Sequence, residues 1–424
     1  MKKITVLALA VLLNISFAVS VLAIESKFGG YWRTRAFTQQ NFTGEDRLEG
    51  KNLTRVDTRT RLYYTAIIND DLKFVNKFEF DAVWGESSSY GDIGADGINV
   101  EIKNSYADFN KDDFNIKMGV QGTVLGRGFL FDDDFAGAVV TYKDDDITIP
   151  FLWMKAYEGG SGKDENDKDV DYYVVNPSFT MDDNQIKVSP LFMYVTSDDV
   201  SAFGSLGVYK DLDLFYFGFD LDAKYDDTSF WFTGIYALGS ADYTTTGDAD
   251  ISAWMAAAGF VYDCGDAGDI DAVDIHGQFF YATGDDDATD NDIEAYFGSP
   301  GNSYYWSEIM GKGIFDNQVS NNSPGDGISN IFAINLGTRL VVDDDLSIEF
   351  DIWHAKLNEE VLTSSGENED ALGTEVNIKV TYEFVEKLNV DFIVAYLFAG
   401  DATTDNSSND ANPYEIGTRF SFKF

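Results

Sequence analysis

The chain ends in Tyr414-Glu415-Ile416-Gly417-Thr418-Arg419-Phe420-Ser421-Phe422-Lys423-Phe424. Tyr414, Ile416, Thr418, Phe420, Phe422 and Phe424 share one side, and Glu415, Gly417, Arg419, Ser421 and Lys423 share the other. Side chains alternate across a β-strand, so this stretch predicts a strand with one apolar and one charged face. The alternation recurs upstream. Leu72, Phe74, Phe78 and Phe80 oppose Lys73, Lys77, Glu79 and Asp81. Val376, Ile378, Val380, Tyr382 and Phe384 oppose Glu375, Asn377, Lys379 and Glu383.

Between such stretches the breaks alternate in length. Tight ones are Asn69-Asp70-Asp71, Asn110 to Asp113, Lys143 to Asp146, Asp182 to Asn184, Asp226-Asp227, Asp263 to Gly268, Asp343 to Asp345 and Glu386-Lys387. Asp and Asn accept turn dihedrals and bond their own backbone, so these read as hairpin turns. The intervening breaks are long and polar: Thr38 to Leu53, Glu86 to Gly97, Glu158 to Asp169, Gly284 to Ile328 and Asp401 to Asn412. Short turns on one side and long loops on the other mark a transmembrane barrel. The parity predicts about 18 strands, with 16 as the alternative. They fall near residues 27–37, 54–68, 72–84, 98–109, 114–121, 136–143, 147–157, 170–181, 185–196, 212–225, 228–239, 250–262, 269–283, 329–341, 346–357, 373–385, 388–400 and 413–424.

Composition agrees with an all-β antiparallel barrel. Aromatics reach 15% and only 6 prolines occur, which suits strands. Lys2 and Lys3 precede a mostly apolar run from Ile4 to Val21, closing at Val21-Leu22-Ala23. This predicts a cleaved signal peptide over residues 1–23 and one barrel domain over 24–424. No later stretch is long and apolar enough for a spanning helix. The expected place is the bacterial outer membrane, among lipid and lipopolysaccharide. A net charge of −43 argues against nucleic acid as a partner. Acid runs such as Asp285 to Asp287 read first as solvated loop surface.

Eighteen strands enclose more space than their side chains fill, so the charged faces are expected to line a wet lumen while the apolar faces meet lipid. By phase, Arg33, Arg35, Arg55, Arg59, Arg61, Lys77, Lys103, Lys117, Arg339 and Arg419 form a basic wall. Asp220, Asp222 and Asp274 form an acidic wall opposite. Two roles stay open for the arginines: tuning which ions enter, or pairing with Glu79, Asp81, Glu101 or Glu415 to stiffen the wall. Gly122 to Phe135 is apolar and Gly-rich where a loop should be. It either folds inward as a constriction presenting Arg127, Asp132, Asp133 and Asp134, or rises as a long strand pair.

No catalytic site is expected. His276 and His354 are the only histidines, without a triad around them. No metal or cofactor is called for, since no metal set has more than one histidine and the acidic loops lack the spacing of a calcium loop. Cys264 stands alone in a turn-like sequence and excludes a disulfide within the chain.

The closing aromatic strand and its final Phe424 resemble those of Gram-negative outer-membrane porins, whose barrel assembly machinery reads that strand. Trp32-Arg33-Thr34-Arg35 and the Gly126-Arg127-Gly128 stretch leading to Asp132-Asp133-Asp134 resemble the alginate-export-like porins. That resemblance implies an 18-stranded barrel with Arg33, Arg35, Arg59, Arg61 and Arg127 lining the pore. The expected function is passive diffusion of small polar or ionic solutes. The alternative is a barrel that sheathes a partner protein, such as an electron-transfer cytochrome, or acts as a surface scaffold. Monomer and homotrimer stay equally open.

Overall fold

The computed structural model describes residues 24–46, 52–94, 99–159, 169–181, 185–198, 209–243, 247–287, 290–407 and 409–424. The expected signal peptide, residues 1–23, lies outside the described residues. The strands are β1 (Glu25–Gln40), β2 (Leu53–Asn69), β3 (Leu72–Val83), β4 (Glu101–Lys111), β5 (Phe114–Leu125) and β6 (Phe131–Lys143). Next come β7 (Ile147–Tyr157), β8 in two pieces (Val170–Val175 and Ser178–Met181), β9 (Ile186–Ser197), β10 (Tyr209–Tyr225), β11 (Thr228–Tyr243) and β12 (Gly247–Ala267). The set ends with β13 (Ile270–Ala282), β14 (Ile331–Val341), β15 (Leu346–Leu362), β16 (Asn368–Val385), β17 (Leu388–Ala399) and β18 (Tyr414–Lys423). Pro177, without an N–H to give the ladder, separates the two pieces of β8.

Each strand pairs antiparallel with its neighbours in sequence, and β1 pairs with β18 from Tyr31↔Lys423 to Gln40↔Tyr414. The 18-stranded sheet is therefore closed. Closure removes the unpaired edge that a hydrocarbon layer could not satisfy. Ile416 and Phe420 lie exposed on the outer face of β18, whereas Glu415 and Ser421 are buried inside. The same split holds on β16, with Ile378, Tyr382 and Phe384 outside and Glu375 and Asn377 inside.

Two features depart from the sequence reading. The hairpins β11–β12 and β15–β16 pair as far as Tyr243↔Gly247 and Leu362↔Asn368, so their outer connections are short. The interior is also not wet throughout. At the outer level, the inward faces of β7 to β15 carry Met154, Tyr172, Met193, Leu214, Tyr216, Ile235, Met255, Phe280 and Trp353, all buried. Phe129 and Leu130 from one loop, and Tyr296, Trp306, Ile309 and Met310 from another, pack into the same apolar cluster. Strand side chains alone would leave the cylinder open to water. The loops bring the missing volume inside.

Candidate solute pathway

The charged wall is built from cross-strand pairs. Register sets Arg35 opposite Asp57, Arg33 opposite Arg59, Arg59 opposite Asp81 and Arg61 opposite Glu79. Arg35 grips Asp57 through two bonds of 2.9 and 2.8 Å. Arg59 reaches Asp81 at 2.8 Å through Nε and Glu79 at 3.2 Å. Arg61 also bonds Glu79. Planar guanidinium forks suit this bidentate pairing. Further round, Lys73 meets Asp108 at 3.2 Å, Lys103 meets Asp134 at 3.7 Å and Arg419 meets Asp391 at 2.7 Å. Lys117 lies over the Tyr106 ring. Lys77 sits in register with Tyr63 and Asn104.

Within this zipper one group is less satisfied. The buried Arg33 Nε has no hydrogen-bond partner. Arg33, Arg35, Arg55 and Arg59, together with Asp57, Asp81, Asp316 and Asn317, line a cavity of about 210 Å³. Asp316 and Asn317 belong to a loop, and Arg55 donates to Asn317 Oδ1 at 2.9 Å. The arginine face therefore looks across a narrow space at a loop.

Two loops enter the lumen. The first is the tip 126–130 between β5 and β6. Gly126 and Gly128 have φ of +54° and +93°, and a Cβ on Gly128 would lie 2.5 Å from the Ser303 carbonyl oxygen. Only glycine accepts both the left-handed backbone and this approach. The turn sends Arg127 to Asp222 at 2.5 Å, to Thr233 Oγ1 at 3.1 Å and over the Trp231 ring. Phe129 stacks on Tyr304 at 3.8 Å between ring centroids. Of the four residues expected at a constriction, Arg127 makes these contacts with the facing strands. Asp132 and Asp133 are exposed, and Asp134 accepts from Asn104 at 3.0 Å.

The second loop, residues 283–330, links β13 to β14; its acidic residues Asp286, Asp287, Asp290 and Asp292 are exposed as expected, but the long polar break expected from Gly284 to Ile328 is not polar throughout. Instead Tyr296, Ile309, Met310, Phe315 and Ile328 are fully buried. Glu375 accepts the N–H groups of Glu308, Ile309 and Met310 at 2.8, 3.0 and 2.9 Å. Arg35 donates to the Phe315 carbonyl at 2.7 Å, and Phe315 stacks on Phe37. Burial pushes the Glu308 carboxyl up to about 7, and the neighbouring Glu375 adds to the rise. The signal for this docking was in the sequence: Tyr304-Tyr305-Trp306, Ile309-Met310 and Ile314-Phe315 are too apolar for a free loop.

On the other side of this loop lies a cavity of about 630 Å³, lined by Trp231, Tyr305, Glu308, Arg339, Glu349 and Lys379 among others. Arg339 stands in register between Asp274 and Glu349. His276 lies 3.2 Å from Asp274 and 2.9 Å from Asp351. Asp220 accepts from Thr233 at 2.6 Å. Among the described residues, His276, Glu349 and Asp351 could gather round a metal ion. Their donors are already engaged, since Lys379 takes Glu349 at 2.6 Å and Asn335 takes Asp351 at 2.9 Å. The expected acidic residues thus sit in ion pairs and hydrogen bonds on the inner half of a wall whose outer half is apolar.

No family model and no curated protein matches the chain. Solved structures do share its fold. The Pseudomonas aeruginosa outer-membrane protein OpdK, solved with vanillate, is similar at 11% identity and a TM-score of 0.58, over 94% of this chain and 98% of that one. OpdQ of the same organism is similar at 14% identity and a TM-score of 0.57, over 94% and 98%. OccK2 (OpdF), solved in complex with glucuronate, is similar at 12% identity and a TM-score of 0.57, over 94% and 98%.

Proposed function

We propose that this chain is an outer-membrane diffusion channel for small polar or ionic solutes, and that its preferred cargo is small organic anions. One observation carries the reading. Apolar side chains cover the outside of a closed barrel, while ion-paired arginines and an infolded loop bound narrow polar cavities within. Apolar faces outside suit acyl chains, and charged groups beside a loop suit a hydrated passage. The arginine face supports anions, because Arg59 carries more N–H donors than Asp81 and Glu79 take, and Arg33 and Arg55 stand beside it. Arg33, Arg55 and Arg59 are the residues a passing carboxylate would meet at the loop carrying Asp316 and Asn317. OpdK with vanillate and OpdF with glucuronate supply two such carboxylates among proteins of this fold.

The infolded loops also weigh against the sheath alternative. A barrel that wraps a partner protein needs an empty interior, and here residues 126–130 and 283–330 occupy it. A liposome-swelling assay tests the proposal. Vesicles holding the chain should swell faster in glucuronate than in a neutral sugar of similar size. Equal rates for the two would remove the anion preference, and no swelling in either would remove the channel.

A further inference from the structure

We infer that Glu375 is the positioning residue of the pore: it fixes where the 283–330 loop stands in the lumen. The inference rests on the channel reading above and adds to it the group that sets the passage.

Glu375 projects inward from β16 and is 0% exposed. One carboxylate oxygen accepts the N–H groups of Glu308 and Ile309, and the other accepts that of Met310. Three successive backbone N–H groups turned towards one anion form a concave nest, a strong site for negative charge. The loop is wound tightly to make it. A Cβ on Gly311 would lie 2.3 Å from the Ser307 nitrogen and 2.7 Å from the Trp306 indole. Gly313 has φ +41°, and its N–H bonds the Ser307 carbonyl at 2.9 Å. Ile314 N–H returns to Glu308 Oε2 at 2.7 Å.

From this anchored turn the loop runs directly to the residues that face the pore. Ile314 and Phe315 give their carbonyls to Arg35, and Asp316 and Asn317 face the arginines. The turn around Glu375 therefore fixes one side of the narrow space and part of the larger cavity, where Glu308 and Ile314 are both lining residues. Glu375 itself is sealed from solvent, so it acts on a passing ion through the loop. A carboxylate on the same wall without that link is Glu349, which pairs with Lys379 on the cavity surface.

The test is single-channel recording of the full chain and three variants, each first shown to form a folded barrel by its heat-dependent gel migration. Glu375→Gln removes the charge and one acceptor from the nest. Gly311→Ala disturbs the same contact from the loop side and leaves the wall intact. Both should raise the open-channel conductance by roughly twofold and add flicker between levels, because loop position gates such passages. Glu349→Gln should shift the reversal potential under a salt gradient without adding flicker between levels. Wild-type current in both Glu375→Gln and Gly311→Ala overturns the inference, as does the same flicker in Glu349→Gln. If Glu375→Gln does not fold, Gly311→Ala decides. A wild-type chain that passes no ions sinks the channel reading instead.

Discussion

The two walls of this barrel obey different rules. From β1 to β6, and again at β17 and β18, inward arginines and lysines pair with carboxylates across strands. From β7 to β15 at the outer level, inward side chains are apolar and dry because two loops lie against them. The outward faces of both walls are the same apolar surface. Strand number sets how wide the cylinder is, but the loops decide which part of it stays open. A charged wall closed by ion pairs and an apolar wall covered by loops are two answers to one surplus of interior space.

Breaking the dry wall should have the largest effect. Phe280 is fully buried, with its ring 5.2 Å from Trp306 and 6.0 Å from both Phe129 and Tyr304. Phe280→Ala should cost about 3–5 kcal/mol. Chemical unfolding in micelles should show a lower midpoint, and protease should cut the 283–330 loop sooner. On the charged wall, Arg35→Ala should have a comparable effect by another route. It leaves the buried Asp57 without a partner, at a cost of about 3–5 kcal/mol. It also frees the Ile314 and Phe315 carbonyls, so loop proteolysis should again quicken.

Where the two walls meet, pH should separate them. Burial raises Glu308 to about 7, with Glu375 beside it and Lys379 and Arg419 opposing the shift. The docked loop therefore favours protonated Glu308. Its stabilisation is fully present below about 4.5 and is lost as pH rises through about 7, by at most about 3 kcal/mol. Current noise should grow across that window, and Glu308→Gln should remain quiet throughout. Noise that falls with rising pH would reverse the assignment. The smallest effect belongs to the arginines that face the cavity. Arg59→Ala with Arg61→Ala should move the reversal potential under a salt gradient towards cations, with little change in conductance. An unchanged potential would leave both residues a purely structural role.

How far these features could be read from the residues follows the same division. Glu415 and Arg419 against Ile416 and Phe420, or Glu375 and Asn377 against Ile378, have an unambiguous phase, because an apolar outer face and a charged inner face demand opposite residues. Arg33, Arg35, Arg55, Arg59 and Arg61 were placed by that phase alone. The alternation fades where both faces are wet. Asn358, Glu359 and Glu360 look like loop yet continue β15 beyond the apolar band. Long-range docking was the hardest to read. The buried Trp306, Ile309 and Met310 show a loop that needs cover, but no local pattern tells that Glu375 provides the anchor. That contact joins residues 65 to 67 apart in the chain.

The most direct test is the ionic current through a planar lipid bilayer holding only the purified, refolded chain. Discrete conductance steps of uniform size are the predicted record. A membrane that stays electrically silent, with the chain folded and inserted, would contradict a water-bearing passage through this barrel.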